Sequence, residues 1–338
     1  MTKKQNNDVD IQFYTKTTDL WDDMHADCTK AEQRIHFTQY MIYDDNIGCK
    51  FLDCFEEKAK DGVKIDLLFD PVGSHMVRDI SYIDRIKQAG GKISFYNDVK
   101  WWNIFTPHRW FPRNHSKLMY IDDNLTYVGG MCVADFMADW RDLHAKITGD
   151  LENADGIRMV HSNQHPSRKS RRQVYQALLE RIDNAQDYML MTTPYCVPPK
   201  SLLKAWDRAI KRGVDITLII SDETDNPIAD HTAKYYLRKL LRMGMKVHFY
   251  DKSVLHAKYT IIDGKWATFG STNLDYLSLC RNKEVNIFVE RRDVINQLQD
   301  IFNDMLSECR TATRKDWDDL PVTQKIAGVV GRMIRRYL

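Results

Sequence analysis

The chain has 338 residues, 43% of them apolar, enough for one or two domains with sizeable cores, and a formal net charge of +2. That balance makes no global case for a nucleic-acid or membrane partner, so any basic surface has to be local. Its seven cysteines are odd in number, scattered and without a C-x-x-C pair, which argues against structural zinc and a disulfide framework and favours reduced thiols in a cytosolic compartment.

The amino terminus, MTKKQNNDVD, has no apolar core, so no signal peptide is expected. No apolar run reaches the roughly 18 residues of a spanning helix. FTQYMI (37–42), DGVKIDLLFD (61–70) and IKQAGGKISFYN (86–97) alternate strand-like runs with helical stretches. VKWWNIFTPHRWFPRNH (99–115) then gathers Trp101, Trp102, Phe105, Trp110 and Phe111. Two readings stay open for it: a buried loop, or a lipid-facing rim. RNHSKLMYID (113–122) follows, a half-buried strand carrying His115, Lys117 and Asp122. Next come YVGGMCVAD, with Gly130 and Cys132, and DWRDLH, with Asp142. HSNQHPSRKSRRQVYQ (161–176) reads as the joint between two halves, either a solvated linker or a patch for anionic partners.

Beyond the joint the pattern returns. TTPYCV (192–197) can be set beside FTQYMI, RGVDITLIISD (212–222) beside DGVKIDLLFD, and LLRMGMKVHFYD (240–251) beside IKQAGGKISFYN. LHAKYTIID (255–263) repeats the motif with His256, Lys258 and Asp263 at identical spacing. TFGSTNLD follows, with Ser271 and Asn273, and then RNKEVNIF, with Glu284. A period of roughly 150 residues means two fused α/β domains, not a solenoid. Each half is expected to run strand, helix, strand, helix, strand, then a hairpin bearing the motif. The expected divisions are 1–160, 161–321 and a separate carboxy-terminal helix, 322–338.

The chemistry follows from two histidines that can meet across a pseudo-twofold interface. One can attack a phosphorus atom while the other protonates the leaving oxygen, because both ionisation forms of imidazole are accessible near neutrality. Lysine two residues on points to the same strand face, where Lys117 and Lys258 can hold phosphate oxygens. The same cations oppose a metal, so neither metal nor cofactor is expected. Asn273 can donate to a phosphate oxygen, and Glu284 can orient a histidine through its ring N–H. Cys132 occupies the place of Asn273 in the first half, and Asp142 falls near that of Glu284. Ser271 and Gly130 are further candidates beside the phosphate site. Asp122 and Asp263 stand an odd number of residues from their lysines, at hairpin turns, and read mainly as structural despite belonging to the motif. The tail VTQKIAGVVGRMIRRYL (322–338) has an apolar stripe at helical spacing with Lys325, Arg332, Arg335 and Arg336 and no acid, which points to membrane contact. A helix docked on its own domain could show the same stripe.

The doubled H-x-K-x4-D signature resembles the phospholipase D superfamily. RNHSKLMYIDD, YVGGMCVADFM, WRDLHAKITG, MTTPYCVPPKSLLKA and the FGSTNLDYLSL…NKEV region most resemble the bacterial cardiolipin synthases, from about residue 35 onward. The resemblance implies two similar phospholipase D-type α/β domains, each a mixed sheet flanked by helices, packed with pseudo-twofold symmetry. It implies a phosphatidyl-histidine intermediate without a metal, with His115 as nucleophile and His256 as general acid. It also implies transfer of a phosphatidyl group between alcohols, with joining of two phosphatidylglycerols into cardiolipin and glycerol as the expected reaction. The lack of a signal peptide or spanning helix in this sequence, with its basic amphipathic tail, adds the expectation of a peripheral protein on the cytoplasmic side of the membrane. Three positions depart from the family pattern: Ser116 and Leu277, where arginine is usual, and Cys132, where asparagine is usual. The amino-terminal spanning helices of many members are absent from this sequence. Hydrolytic phospholipase D and other phosphatidyl transfers remain alternatives. A nuclease would need a basic groove, which the near-neutral charge and amphipathic tail disfavour, so no nucleic-acid partner is expected. A dead scaffold is disfavoured by the two complete H-x-K pairs. Oligomeric state is not legible.

Overall fold

The computed structural model describes residues 9–78, 80–98, 110–162 and 172–337. The first half comprises β1 (Asp10–Lys16), α1 (Thr17–Thr29), β2 (Arg34–Gln39), α2 (Asn46–Lys60), β3 (Lys64–Phe69), α3 (Ser81–Gln88), β4 (Lys92–Phe95), β5 (Leu118–Ile121), β6 (Leu125–Gly129) and β7 (Arg141–Thr148). The second runs β8 (Ile157–Ser162), α4 (Gln173–Asn184), β9 (Tyr188–Thr193), β10 (Cys196–Val197), α5 (Lys200–Lys211), β11 (Asp215–Ser221), α6 (Pro227–Met243), β12 (Lys246–Tyr250), β13 (Tyr259–Ile262), β14 (Trp266–Gly270), β15 (Leu274–Asp275), α7 (Tyr276–Cys280), β16 (Glu284–Val289) and α8 (Arg292–Ser307). It closes with β17 (Arg310–Thr311), α9 (Lys315–Asp318) and α10 (Val322–Ile334).

The local signals behind these elements are ordinary. Burial alternates along β3, while β16 is buried throughout, as a strand covered on both faces must be. Asp45 caps α2 by accepting from the Gly48 N–H at 3.0 Å. Asn226 caps α6, Pro227 occupies its first turn, and Gly244 ends it with φ +99°.

The two sheets share one strand order. The first is β1-β7-β6-β5-β2-β3-β4, and the second is β8-β16-β14-β13-β9-β11-β12, extended by β17. In each, three strands are parallel (β2-β3-β4 and β9-β11-β12) and the motif hairpin joins them antiparallel. The edge strands β1 and β8 escaped the sequence reading because they lie outside the aligned repeat. The division expected at 160/161 falls inside β8, which belongs to the second sheet through its pairing with β16. The sheets meet face to face. Val128, Leu143 and Ala145 of one pack with Ala267, Phe269 and Val285 of the other, and Phe13 meets Phe269 edge-on at 5.2 Å. Helix α8 packs Val294, Leu298 and Phe302 into this same core, while α1–α3 and α4–α7 cover the outer faces, each set over its own apolar core.

Asp122 and Asp263 play one part twice. The Asp122 carboxylate accepts the backbone N–H groups of Glu32, Gln33 and Arg34 at 3.2, 2.8 and 2.9 Å. Asp263 accepts those of Gln186, Asp187 and Tyr188 at 2.9, 2.9 and 3.0 Å. Both backbones are left-handed, at φ +51° and +53°. Burial works to raise the Asp122 carboxyl, but the three N–H groups outweigh it and hold the carboxyl below its ordinary value. Each aspartate therefore ties its motif hairpin to the start of the neighbouring parallel strand. Asp263→Ala removes these bonds and strains the turn. It should cost about 2–4 kcal/mol, read as a lower urea midpoint with unchanged slope, and Asp263→Asn should cost less. Equal midpoints for wild type and Asp263→Ala would contradict this role.

Candidate active site

Each motif histidine is delivered by main-chain pairing between the halves. Asn114 bridges Lys283, and Arg141 bridges Leu255. The His115 N–H donates to the Lys283 carbonyl at 2.9 Å, and the His256 N–H to the Arg141 carbonyl at 2.7 Å. The same bridges bring an acid from the opposite half behind each ring. His115 Nδ1 lies 3.1 and 3.2 Å from the two carboxylate oxygens of Glu284. His256 Nδ1 lies 2.6 Å from Asp142 Oδ2. Glu284 and Asp142 hold equivalent places, each two residues before the partner of the glycine that ends the hairpin (Asn286 opposite Gly270, His144 opposite Gly129).

The supporting positions differ between the halves for a steric reason. The Ser271 hydroxyl donates to Glu284. Its counterpart is Gly130, where a Cβ would stand 2.2 Å from Asp142 Oδ1. The aspartate is one methylene shorter and its carboxylate fills the space a side chain at residue 130 would need.

Lys117 and Lys258 are buried. The Lys117 ammonium donates to its own histidine's carbonyl at 2.8 Å, and that of Lys258 to the carbonyl of His256. One N–H is thereby fixed and two stay available to an anion. Burial brings Lys258 down to about 8, against the pull of Asp142, and lowers Lys117 as well. Burial also lowers both histidines, His256 to about 4 despite Asp142. At pH 7 both rings are neutral in the empty site. A carboxylate can only accept, so the proton sits on Nδ1 and each Nε2 presents its lone pair.

His115, Lys117, His256, Asn273 and Cys132 line one cleft of about 660 Å³. Asn273 Oδ1 is buried with no hydrogen-bond partner among the described residues. Burial raises the Cys132 thiol, against both lysines. The structure brings the histidines, lysines and their acids together, but it puts Asp122 and Asp263 at the hairpin turns, about 16 Å of strand from their lysines. Trp101 and Trp102 lie outside the described residues, as do 163–171 of the joint. Among the described residues no group of histidine, cysteine and acid is placed to hold a metal.

The sequence reading missed three aromatic neighbours. The Tyr40 ring meets His115 edge-on at 4.9 Å and lies 5.0 Å from the Lys117 ammonium. Tyr195 lines the second-half wall, and Trp140 packs on His256 at 5.2 Å. The first two stand at the same place in FTQYMI and TTPYCV, so the repeat itself carried the signal.

A family model described as "Cardiolipin synthase, PLD-like domain" matches residues 4–134 and 178–306. The chain belongs to this family. Among similar proteins, the cardiolipin synthase of Oceanobacillus iheyensis is 28% identical over 98% of this chain and 75% of its own length. The major cardiolipin synthase of Bacillus subtilis is 27% identical over the same shares. Among solved structures, a phosphatidylserine synthase from Haemophilus influenzae superposes with a TM-score of 0.72 at 12% identity, over 97% of this chain and 95% of that one. A polyphosphate kinase from Porphyromonas gingivalis gives 0.63 at 13% identity, over 97% and 53%. These two likenesses show the fold, which is the doubled phospholipase D-like architecture expected from the repeat.

The geometry makes a direct statement about ionisation. In ¹⁵N-histidine-labelled protein without substrate, both motif rings should be neutral at pH 7 with the proton on Nδ1, and His256 should take a second proton only near pH 4. A charged imidazolium at either position at pH 7 would mean that the paired carboxylate outweighs burial, the reverse of what is expected.

Proposed function

We propose that this member of the cardiolipin synthase family is a phosphatidyltransferase that joins two phosphatidylglycerol molecules into cardiolipin and glycerol. The observation that carries the reading is the crossed pairing: two imidazoles in one cleft, each oriented by a carboxylate of the other half, each with its buried motif lysine beside it. A phosphodiester entering the cleft meets both ammonium groups, which take its non-bridging oxygens and the charge that develops on them. Its negative charge also favours protonation of one ring. Nε2 of His115 attacks phosphorus, and the P–O bond to the headgroup glycerol breaks. His256 gives its proton to the leaving oxygen, leaving a phosphatidyl-histidine. A hydroxyl of a second phosphatidylglycerol then attacks, His256 takes that proton, and the P–N bond breaks. The rings stay aligned because the carboxylates hold Nδ1 throughout.

Membrane contact through α10 belongs to the same reading. No helix among the described residues is long and apolar enough to cross a membrane. α10 does dock on its own domain, but through its small residues: Gly328 and Gly331 are buried, and Gly328 sits against the backbone of His231 in α6. The apolar stripe is thereby turned outward, with Ile326 58% and Met333 75% exposed. Arg332, Arg335 and Arg336 surround a depression of about 350 Å³ with Lys200 at the start of α5. Arg332 and Arg336 lean on the rings of Tyr235 and Tyr276, and Lys325 donates to the Asp318 carbonyl at 2.7 Å. An outward apolar stripe beside cations with no acidic partner among the described residues suits an anionic bilayer, and the proposal includes peripheral attachment on the cytoplasmic side.

On phosphatidylglycerol vesicles, thin-layer analysis should show cardiolipin and glycerol, and an added alcohol should divert part of the phosphatidyl group. His115→Ala and His256→Ala should each lose about 10³-fold or more. With a p-nitrophenyl leaving group, which needs no proton, His256→Ala should accumulate an adduct on His115. Phosphatidic acid as sole product would make the enzyme a hydrolase, and an adduct on His256 would reverse the roles.

The double variant Ile326→Glu/Met333→Glu alters only exposed positions, so folding should persist. Loss of two inserting side chains should weaken binding to anionic vesicles by about 10²-fold in co-sedimentation. Equal binding would remove α10 from the membrane surface.

A further inference from the structure

Both motif histidines line the cleft, together with Lys117, but its two walls differ. The first-half wall is largely apolar, with Met41, Val72 and Phe111. The second-half wall is mixed: beside Val197, Ile228 and Leu277 it carries Tyr195, Asn226 and two acids, Asp225 and Asp275, of which Asp275 accepts the Ser278 N–H at 2.8 Å as the cap of α7. A carboxylate is unexpected in a cleft that receives an anionic phosphodiester, because like charges repel.

Asp225 is not a stray surface residue. The Tyr195 hydroxyl donates to its carboxylate, and no described cation pairs with it. Its loop is fixed on both sides. Asp230 accepts the Thr224 N–H at 3.1 Å and the Thr224 hydroxyl at 2.6 Å, and Asn226 donates its N–H to that hydroxyl at 3.1 Å. Upstream, the Ser221 hydroxyl donates to the Glu223 carbonyl at 2.6 Å and accepts the Leu255 N–H at 3.0 Å. Leu255 precedes His256, so the loop that bears Asp225 is tied to the chain that bears the histidine. Asp225 is also close enough to favour the charged form of His256.

The corresponding loop of the first half uses its acid differently. Asp70 turns inward, accepting the N–H groups of Asn114 at 2.8 Å and Val72 at 3.0 Å and pairing with Arg113 at 3.5 Å. Val72 is what that loop presents to the cleft. Asn114 and Leu255 hold the same place before their histidines, so the two loops are anchored alike and differ in what they show to a ligand.

We propose that Asp225 selects the alcohol: its carboxylate accepts a hydrogen bond from a hydroxyl of the polyol headgroup on the His256 side of the phosphorus. In an in-line displacement the alcohol leaves, and its replacement enters, opposite the nucleophile. The acid-bearing wall beside His256 is therefore the alcohol side, and the wall beside His115, which presents no acid, faces the lipid. With one acceptor position taken by Tyr195, the carboxylate keeps others for a glycerol hydroxyl while the reacting oxygen meets His256 Nε2. The proposal rests on the phosphatidyl-transfer reading and supplies its selectivity for a glycerol headgroup over a simple alcohol.

The test uses full-length wild type, Asp225→Ala and Asp225→Asn on lipid dispersed in neutral detergent. Two donors are compared, phosphatidylglycerol and phosphatidyl-1-propanol, whose leaving group needs the same proton from His256 but has no spare hydroxyl. In Asp225→Ala the ratio of kcat/KM between the first and second donor should fall about 10- to 100-fold, the loss expected for one hydrogen bond to a charged acceptor. Asp225→Asn, which can still accept, should fall less. Transfer to glycerol, 1-propanol and ethanolamine is measured in parallel, and the wild-type preference for glycerol over 1-propanol should shrink in Asp225→Ala. An unchanged ratio overturns the assignment. So does an equal drop on both donors, which would mean that Asp225 acts only through His256 or the loop. Wild-type preference for ethanolamine over glycerol would assign the carboxylate to a cationic headgroup instead. Should the wild type only hydrolyse, the transfer reading fails, but the donor ratio still decides the role of Asp225.

Discussion

Everything at this site depends on two short main-chain bridges between the halves, Asn114 with Lys283 and Arg141 with Leu255. Each fixes a histidine and, in the same stroke, sets an acid from the opposite sheet behind its ring. Neither half alone has a complete site. The first supplies His115 but not the carboxylate that orients it, and the second supplies His256 without Asp142. Removal of one carboxylate while the sheets stay packed would leave buried cationic groups uncompensated, at a cost far above that of a surface ion pair. Catalytic geometry and domain packing are therefore one constraint, carried by the apolar contact of the two sheets.

The frame is symmetric and its decoration is not. The same strand order recurs with the same hairpin and the same aspartate clasp, so two imidazoles and two ammonium groups come close to a twofold arrangement. Differences enter at single positions. Glu284 reaches further than Asp142 and leaves room for Ser271 to donate to it, while Gly130 has to stay bare. Asn273 faces Cys132 across the repeat, and Asp225 faces Val72. A duplicated domain gives two equivalent histidines, but a displacement needs a nucleophile on one side and an acid on the other. Small asymmetries in the walls are sufficient to divide those labours.

Polar burial and apolar exposure run opposite to the usual trend at two places, and the proposed function draws on both. Lys117 and Lys258 are buried where an anion is to be received. On α10 the exposed residues are the apolar ones, because glycines take the contact with α6 and allow the backbones to approach closely. The stripe that sequence periodicity would assign to the core is left for another surface.

The sequence by itself determined the repeat, the α/β class, the paired H-x-K motifs and the identity of the acids, because these are recorded as spacing and side-chain alternation along single strands. It also pointed to a mainly structural part for Asp122 and Asp263, since an odd step from the lysine turns a side chain away. It did not reveal β1 and β8, whose pairing is long-range, nor that each acid serves the histidine of the other half. Nor did it reveal which face of α10 docks, because periodicity defines a stripe without saying what covers it. Asp225 was invisible for the same reason. Its loop lies far along the chain from the motif, and only the packing of α6 and the Ser221–Leu255 bond bring it to the cleft. Local chemistry is written in the chain, but the choice of partner across an interface is made by the three-dimensional contact of surfaces whose residues are distant in sequence.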